Sequence, residues 1–254
     1  MHKDVKYSQL KEEELARLVL SIKNSEYPLI IREACNENRT EDYWYNFVKN
    51  DCNLEADHRH IGIDGSSQKS QWWEISNQKD KSISYAYSVT PQPFHCDNPW
   101  FSNGPEINFF IMKKQAVQGG EQFFYPVSRL INDLEKLDPA LLTDLLETSV
   151  VITKGDEGFE NKTPILTLND GGKVYWQYYR TVKTDKFINE LCERFWAYLK
   201  GMEKSDSVNY VRCETGDAFV FHDNKMLHGR TAFKAENERD RILLQSMWKL
   251  PSEL

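Results

Sequence analysis

In the run Pro93-Phe94-His95-Cys96-Asp97, an imidazole and a carboxylate stand two residues apart. On an extended strand such a pair projects from one face and can grip a single metal ion that accepts mixed nitrogen and oxygen donors. Cys96 lies between them, and a thiolate is a good metal donor, but strand alternation turns it to the opposite face. Two donors seldom make a site, so a third is sought downstream in Phe221-His222-Asp223-Asn224-Lys225-Met226-Leu227-His228-Gly229-Arg230. Both His222 and His228 are available there. A second pair, His58 and His60 in Asp57-His58-Arg59-His60, sits in a charged polar stretch without a companion block.

These residues need a scaffold, and the chain has the material for one. Its 254 residues are 40% apolar and 28% charged, which suits a globular protein read here as one domain over residues 1–254. A net charge of -7 leaves no basic stripe for nucleic acid and no polybasic membrane contact, so neither is expected as a partner. The N-terminus lacks a signal-like apolar core and no run reaches membrane-spanning length, which predicts a cytoplasmic location. Five cysteines, odd in number and without a CxxC pair, read as reduced, buried thiols.

Periodicity predicts an amphipathic helix from Tyr7 to about Ile22, a strand at Tyr27 to Ile31 and a helix beginning after Thr40. An alternating strand from Ser82 to Val89 leads towards His95. Strands are predicted at Glu106 to Met112 and Gln122 to Tyr125, then two short helices between Pro126 and Glu147 broken at Pro139. Further strands are expected at Ser149 to Thr153, Ile165 to Leu168, Val174 to Tyr179, Val208 to Val211, Ala218 to Phe221 and Arg241 to Lys249, with a long helix from Thr184 to about Gly201. The sum is a mainly β protein with flanking helices (α+β), a double-stranded β-helix or cupin-like jelly roll. Residues 1–80 form an N-terminal buttress, and residues 81–254 form the core with a helical insertion at about 127–203.

The HxD pair, Gly119-Gly120-Glu121-Gln122, Glu214-Thr215-Gly216-Asp217, Asp223-Asn224, His228-Gly229-Arg230 and Arg241 stand in one order. This order resembles the non-haem iron and 2-oxoglutarate dioxygenases of the taurine dioxygenase (TauD/TfdA) and clavaminate synthase-like superfamily, over roughly residues 85 to 250. The resemblance implies the same jelly-roll core and an Fe(II) ion held by His95, Asp97 and His228, with 2-oxoglutarate and O2 as co-substrates. His222 then becomes a supporting or surface residue. Three protein ligands on one face leave the opposite positions open, as oxygen chemistry requires.

A distal carboxylate of 2-oxoglutarate needs a buried guanidinium fork. Arg241, thirteen residues after His228, has the family's interval, whereas Arg239 shares its strand parity and is the alternative. Gln122 stands where the family's GG(D/E)T block has a Thr that helps hold the co-substrate, and a longer amide takes that place here. Arg230 is assigned a structural ion pair. The reaction implied is decarboxylation of 2-oxoglutarate to succinate and CO2 with hydroxylation of an unactivated C–H bond. Asp97 disfavours halogenation, since related halogenases carry Ala or Gly at that position. Aromatics including Trp176 and Tyr179 are candidates to cage a cationic or apolar group.

The substrate class expected is a small metabolite such as an amino acid or derivative, in natural-product biosynthesis. Desaturation, cyclisation or a carrier-tethered amino acid are alternatives within the same chemistry. A metal-binding cupin-like sensor is the alternative outside it.

Overall fold

A computed structural model describes residues 2–58, 71–82, 84–155 and 158–251. In chain order the elements are β1 (Lys3–Lys6), α1 (Glu12–Ser21), β2 (Leu29–Arg32), α2 (Glu41–Asn46), β3 (Glu55–Ala56), β4 (Trp73–Ser76), β5 (Gln92–His95), β6 (Ile107–Lys114) and β7 (Gln122–Pro126). There follow α3 (Val127–Leu137), α4 (Pro139–Glu147), β8 (Ser149–Thr153), β9 (Glu160–Pro164), β10 (Leu166–Thr167), β11 (Lys173–Val174), β12 (Thr181–Val182) and α5 (Lys186–Met202). The chain ends with β13 (Asn209–Val211), β14 (Ala218–His222), β15 (Met226–Arg230) and β16 (Ile242–Lys249).

Among the described residues, a major sheet runs β1-β2-β14-β6-β16-β3 with β4 also on β16, and a minor sheet runs β13-β7-β15-β5. Their inner faces meet in a layer of Phe110, Phe219, Phe221 and Leu243 against Phe124, Val211 and Met226. Strand alternation makes this layer, because apolar residues two apart share a face. The outer face of the major sheet takes α1 and α2 through Leu15, Val19, Trp44 and Phe109. The outer face of the minor sheet takes α3 to α5 through Leu130, Leu134, Leu145, Leu191 and Phe195. Asp138 caps α4 and Asp185 caps α5 by accepting hydrogen bonds from Leu141 and Ile188, so both helices start where polar side chains can satisfy free N–H groups. The two-sheet sandwich with flanking helices is the jelly-roll architecture the strand pattern predicts.

Several elements differ from expectation. The described residues of Ser82 to Val89 form a loop with a single 3-10 turn at Tyr85–Tyr87 instead of a strand. Its carbonyls are claimed by a side chain: the Arg230 guanidinium donates to Tyr85 O, Ser88 O and Thr90 O. Of Val174 to Tyr179 only Lys173–Val174 pairs as a strand. Conversely, Met226–Arg230, where no strand is expected, is a central strand of the minor sheet. The first eighty residues do more than buttress, since β2 pairs with β14 inside the major sheet and β4 pairs with β16.

Strand β15 matters most, because it sets His228 directly opposite His95 on antiparallel β5. Directly opposed residues are the closest cross-strand neighbours a sheet offers. Gly229 follows at a register irregularity, and a Cβ there would lie 2.3 Å from Phe123 and 2.6 Å from the Gln92 carbonyl. Gly229→Ala should therefore destabilise the fold by about 3 kcal/mol, the upper end of typical overpacking costs, because a backbone carbonyl cannot swing aside. A urea midpoint equal to wild type would refute this.

Candidate active site

His95 Nε2, His228 Nε2 and the Asp97 carboxylate converge, with ligand atoms within 4.8 Å of one another. His95 Nε2 is 3.3 Å from Asp97 Oδ1, and His228 Nε2 is 3.5 Å from Asp97 Oδ2. The His95 Nδ1–H donates to Pro93 O at 2.9 Å, which leaves Nε2 as the acceptor nitrogen facing the cavity. The Gln92 amide donates to that nitrogen at 2.9 Å, which fits the same tautomer. Burial alone would raise the Asp97 carboxyl, but the charges and hydrogen bonds of His228 and His95 hold it well below the usual carboxylate range. Two imidazole nitrogens and one carboxylate on one side of an open cavity form a donor set that fits a divalent iron ion. Cys96 points away: it is fully buried, its Sγ accepts from Trp176 N at 3.1 Å, and burial pushes its thiol well above the ordinary value.

A polar layer fixes Asp97 from behind. Its Oδ2 accepts from Asn108 Nδ2 at 2.9 Å and from Gln245 Nε2 at 2.7 Å. Asp223, directly after β14, accepts from the backbone N–H of Asp97 and Asn98 and from Asn108 Nδ2. Burial first, then the charge of Asp97, pushes the Asp223 carboxyl up to about 7. Partners of this kind hold ligand side chains in one orientation. Asn108→Ala removes a donor from two buried carboxylates, so iron affinity should fall about 10- to 100-fold, the range typical of lost outer partners. Equilibrium dialysis would check it, and unchanged affinity would show that Gln245 alone suffices.

The cavity measures about 750 Å3 and is lined by His95, Asp97, His228, Gln92, Gln122 and Arg241, with Trp73, Tyr85, Trp100, Tyr178, Tyr179 and Trp196 around it. Arg241 is 2% exposed, and no carboxylate among the described residues pairs with it. Its Nε has no hydrogen-bond partner, and burial, then the nearby Arg230 charge, lowers its guanidinium to about 9. In the amide orientation that satisfies both of its ends, Gln122 accepts from Arg241 Nη2 at 2.7 Å and donates to Gly229 O at 3.1 Å. Gln122 thus contacts the arginine itself. Gly120 leaves room for this arrangement, since a Cβ there would stand 3.1 Å from Arg241 Nε. A buried, incompletely bonded guanidinium facing a cavity is a built seat for an anion.

The remaining candidates divide. Arg239 does not enter the cavity: it lies on a turn with φ 59° and pairs with the Glu74 carboxylate, with 2.9 Å from Nη2 to Oε2. Its parity with Arg241 is broken because β16 starts only at Ile242. Trp176 is also corrected, for it is fully buried against Phe195 and Tyr178 in the helical layer and does not line the cavity. Tyr179 lines the rim, 65% exposed, and accepts a hydrogen bond from Tyr85 Oη at 3.1 Å. Arg230 makes no ion pair among the described residues; backbone carbonyls occupy its guanidinium, and burial lowers it to about 10. His222 is buried, and burial lowers its imidazole to about 3. His58 hydrogen-bonds Tyr45 Oη at 3.2 Å, and His60 lies outside the described residues.

Sequence reasoning passed over Gln92, Asn108, Gln245, Lys154 and Arg180. Asn108 and Gln245 carry a readable signal, as each interrupts an apolar strand run with a buried amide that must find partners. Lys154 and Arg180 come from loops and carry no such signal.

Among known proteins, the family model described as taurine catabolism dioxygenase TauD, TfdA family matches residues 52–248. A human gamma-butyrobetaine dioxygenase (Homo sapiens) is 26% identical over 183 residues, covering 67% of this chain and 47% of the relative. The dioxygenase str8 of Strobilurus tenacellus is 23% identical over 189 residues, covering 72% of this chain and 44% of the relative. The chain thus spans about half the length of the curated relatives it matches. In structure it is similar to an asparagine oxygenase in complex with Fe(II), 2S,3S-3-hydroxyasparagine and succinate: TM-score 0.72, 12% identity, 93% of this chain and 79% of that one. It is also similar to the non-heme iron oxygenase OrfP in complex with Fe and alpha-ketoglutaric acid: TM-score 0.67, 12% identity, 94% and 80% covered.

Proposed function

The chain belongs to the taurine catabolism dioxygenase TauD, TfdA family, and from that premise we propose that it is an Fe(II)- and 2-oxoglutarate-dependent dioxygenase that hydroxylates an unactivated C–H bond of a small metabolite such as an amino acid or derivative. The observation that carries this reading is one cavity holding both a two-His, one-carboxylate donor set and a buried guanidinium without an acid partner. Support for the substrate class comes from the asparagine oxygenase described with a hydroxylated amino acid.

His95, Asp97 and His228 would hold Fe(II), and Arg241, steadied by Gln122, would bind the distal carboxylate of 2-oxoglutarate. When bound, iron and 2-oxoglutarate supply O2 activation, with 2-oxoglutarate leaving as succinate and CO2 while one oxygen atom enters the substrate. The chain's own residues orient and exclude. Asn108 and Gln245 hold Asp97 in one orientation through its Oδ2. Pro93 O keeps the proton of His95 on Nδ1, away from the ligand nitrogen. Phe110, Phe219, Leu243 and Met247 form an apolar wall that limits water near the reacting bond. No helix in the described residues is long and apolar enough to cross a membrane.

The test is product analysis after incubation with Fe(II), ascorbate, 2-oxoglutarate and amino-acid derivatives under labelled O2. A product one oxygen atom heavier, with the label incorporated, is expected. Succinate formed with a product lacking two hydrogens would replace hydroxylation by desaturation or cyclisation.

A further inference from the structure

The charges around the cavity say more about the substrate than the aromatic residues do. Lys154, Arg180, Arg230 and Arg241 line it, while Asp97 is the one carboxylate among its described lining residues. An Fe(II) ion, Asp97, a 2-oxoglutarate dianion and Arg241 together sum to neutrality, so Arg180 and Arg230 have no counter-charge from that set. This concentration occurs in a chain whose net charge is -7, so it is local to the site. Arg230 spends its donors on the carbonyls of Tyr85, Ser88, Thr90 and Thr231. Arg180 differs. It is half-buried on the loop after Tyr179, its backbone is anchored to Gln177 O and Thr153 N, and its guanidinium has no hydrogen bond or ion pair among the described residues.

A cationic part of a substrate finds no comparable seat. Among the described residues no carboxylate other than Asp97 lines the cavity, and Asp97 is committed to the two histidines and two amides. Aromatic faces can hold an ammonium, but the protein's own cations already occupy two of those that line this cavity. Lys183 Nζ sits 3.9 Å from the Tyr178 ring centroid and Lys154 Nζ 5.4 Å from that of Trp100. An ammonium placed there would face repulsion as well as lost hydration.

We infer that the substrate of this site is a carboxylate without a free ammonium group, such as an N-acylated amino acid, with its carboxylate held by the Arg180 guanidinium. This rests on the dioxygenase reading and narrows it. It sets aside free zwitterionic amino acids, and it sets aside carrier-bound thioesters, whose carboxyl is already consumed. The body of such a molecule would lie along Trp100, Tyr178 and Trp196.

The probes are N-acetyl-L-phenylalanine, its primary amide and free L-phenylalanine, titrated anaerobically into the Fe(II)- and 2-oxoglutarate-loaded protein while tryptophan emission is followed. The carboxylate should bind at least tenfold tighter than either of the other two, because a charge-assisted guanidinium contact distinguishes them. Arg180→Gln should abolish that preference and Arg180→Lys restore part of it, whereas Arg239→Gln leaves it intact. Equal binding of acid and amide, tighter binding of the free amino acid, or an undiminished preference in Arg180→Gln overturns the inference. The comparison among probes does not depend on how well any variant folds. Succinate formation measured in parallel separates the two claims. A carboxylate preference without succinate keeps the anion site and removes the dioxygenase reading, while succinate without the preference does the opposite.

Discussion

Replacing His228 with alanine is expected to leave a folded protein that retains no stoichiometric iron and forms succinate only at the background of enzyme-free solution. His95→Ala should behave in the same way. The reason is geometric: the two imidazoles are opposite partners on β15 and β5, with ring centroids 4.2 Å apart, and each offers one nitrogen to a point they share with Asp97. Removing one leaves two donors, too few to hold a divalent ion against water. The control is Cys96→Ala. The thiol is as close in sequence as a ligand can be, yet it faces Val174 and Trp176 behind the strand, so this variant should keep its iron. Metal content by atomic emission after gel filtration reads all three. Iron retained in His228→Ala and lost in Cys96→Ala would invert the ligand assignment.

The second large effect is at Arg241. Arg241→Ala should raise the KM for 2-oxoglutarate about 100-fold or more, since removing one partner of a buried charge pair costs about 3–5 kcal/mol. Arg239→Ala should leave it within twofold, because that side chain is engaged by Glu74 outside the cavity. Stability should move in the opposite direction. Without an anion, the Arg241 guanidinium is a buried charge whose pKa is depressed to about 9, chiefly by burial. A cation whose folded-state pKa lies below its unfolded value costs stability at neutral pH. Arg241→Met should accordingly raise the melting temperature of the ligand-free protein, and 2-oxoglutarate should stabilise wild type but not the variant. A variant that melts lower and binds 2-oxoglutarate normally would place the co-substrate elsewhere.

Much of this arrangement was legible in the chain because strand chemistry is local. The apolar runs at Ile107–Lys114 and Ile242–Lys249 and the paired helices around Pro139 lie where their periodicity puts them. The HxD pair was readable for the same reason. What periodicity misread were stretches whose conformation is decided by distant partners. Ser82 to Val89 alternates like a strand, but the Arg230 guanidinium captures the carbonyls of Tyr85, Ser88 and Thr90 and holds residues 84–90 out of a ladder. Met226–Arg230 is given no strand by its pattern, yet pairing with both β5 and β7 makes it the strand that delivers His228. Trp176 and Tyr179, three residues apart, were read as equivalent, and the structure separates them because pairing stops at Val174. Gln122 shows a subtler limit. Its position was readable from the Gly119-Gly120 block, but not that its longer amide would reach the arginine beside the co-substrate's expected seat. Arg180 was out of reach altogether, since only the folded loops reveal that it shares a cavity with Arg241.

The most direct test of the central claim is the stoichiometry of 2-oxoglutarate turnover by purified wild-type protein. Succinate, CO2 and consumed O2 should appear in equal amounts, should require added Fe(II), and should fall to background in His228→Ala. Iron-replete protein that leaves 2-oxoglutarate intact in air, with and without candidate carboxylates, would contradict the account and reduce the site to one that binds a metal without turning over.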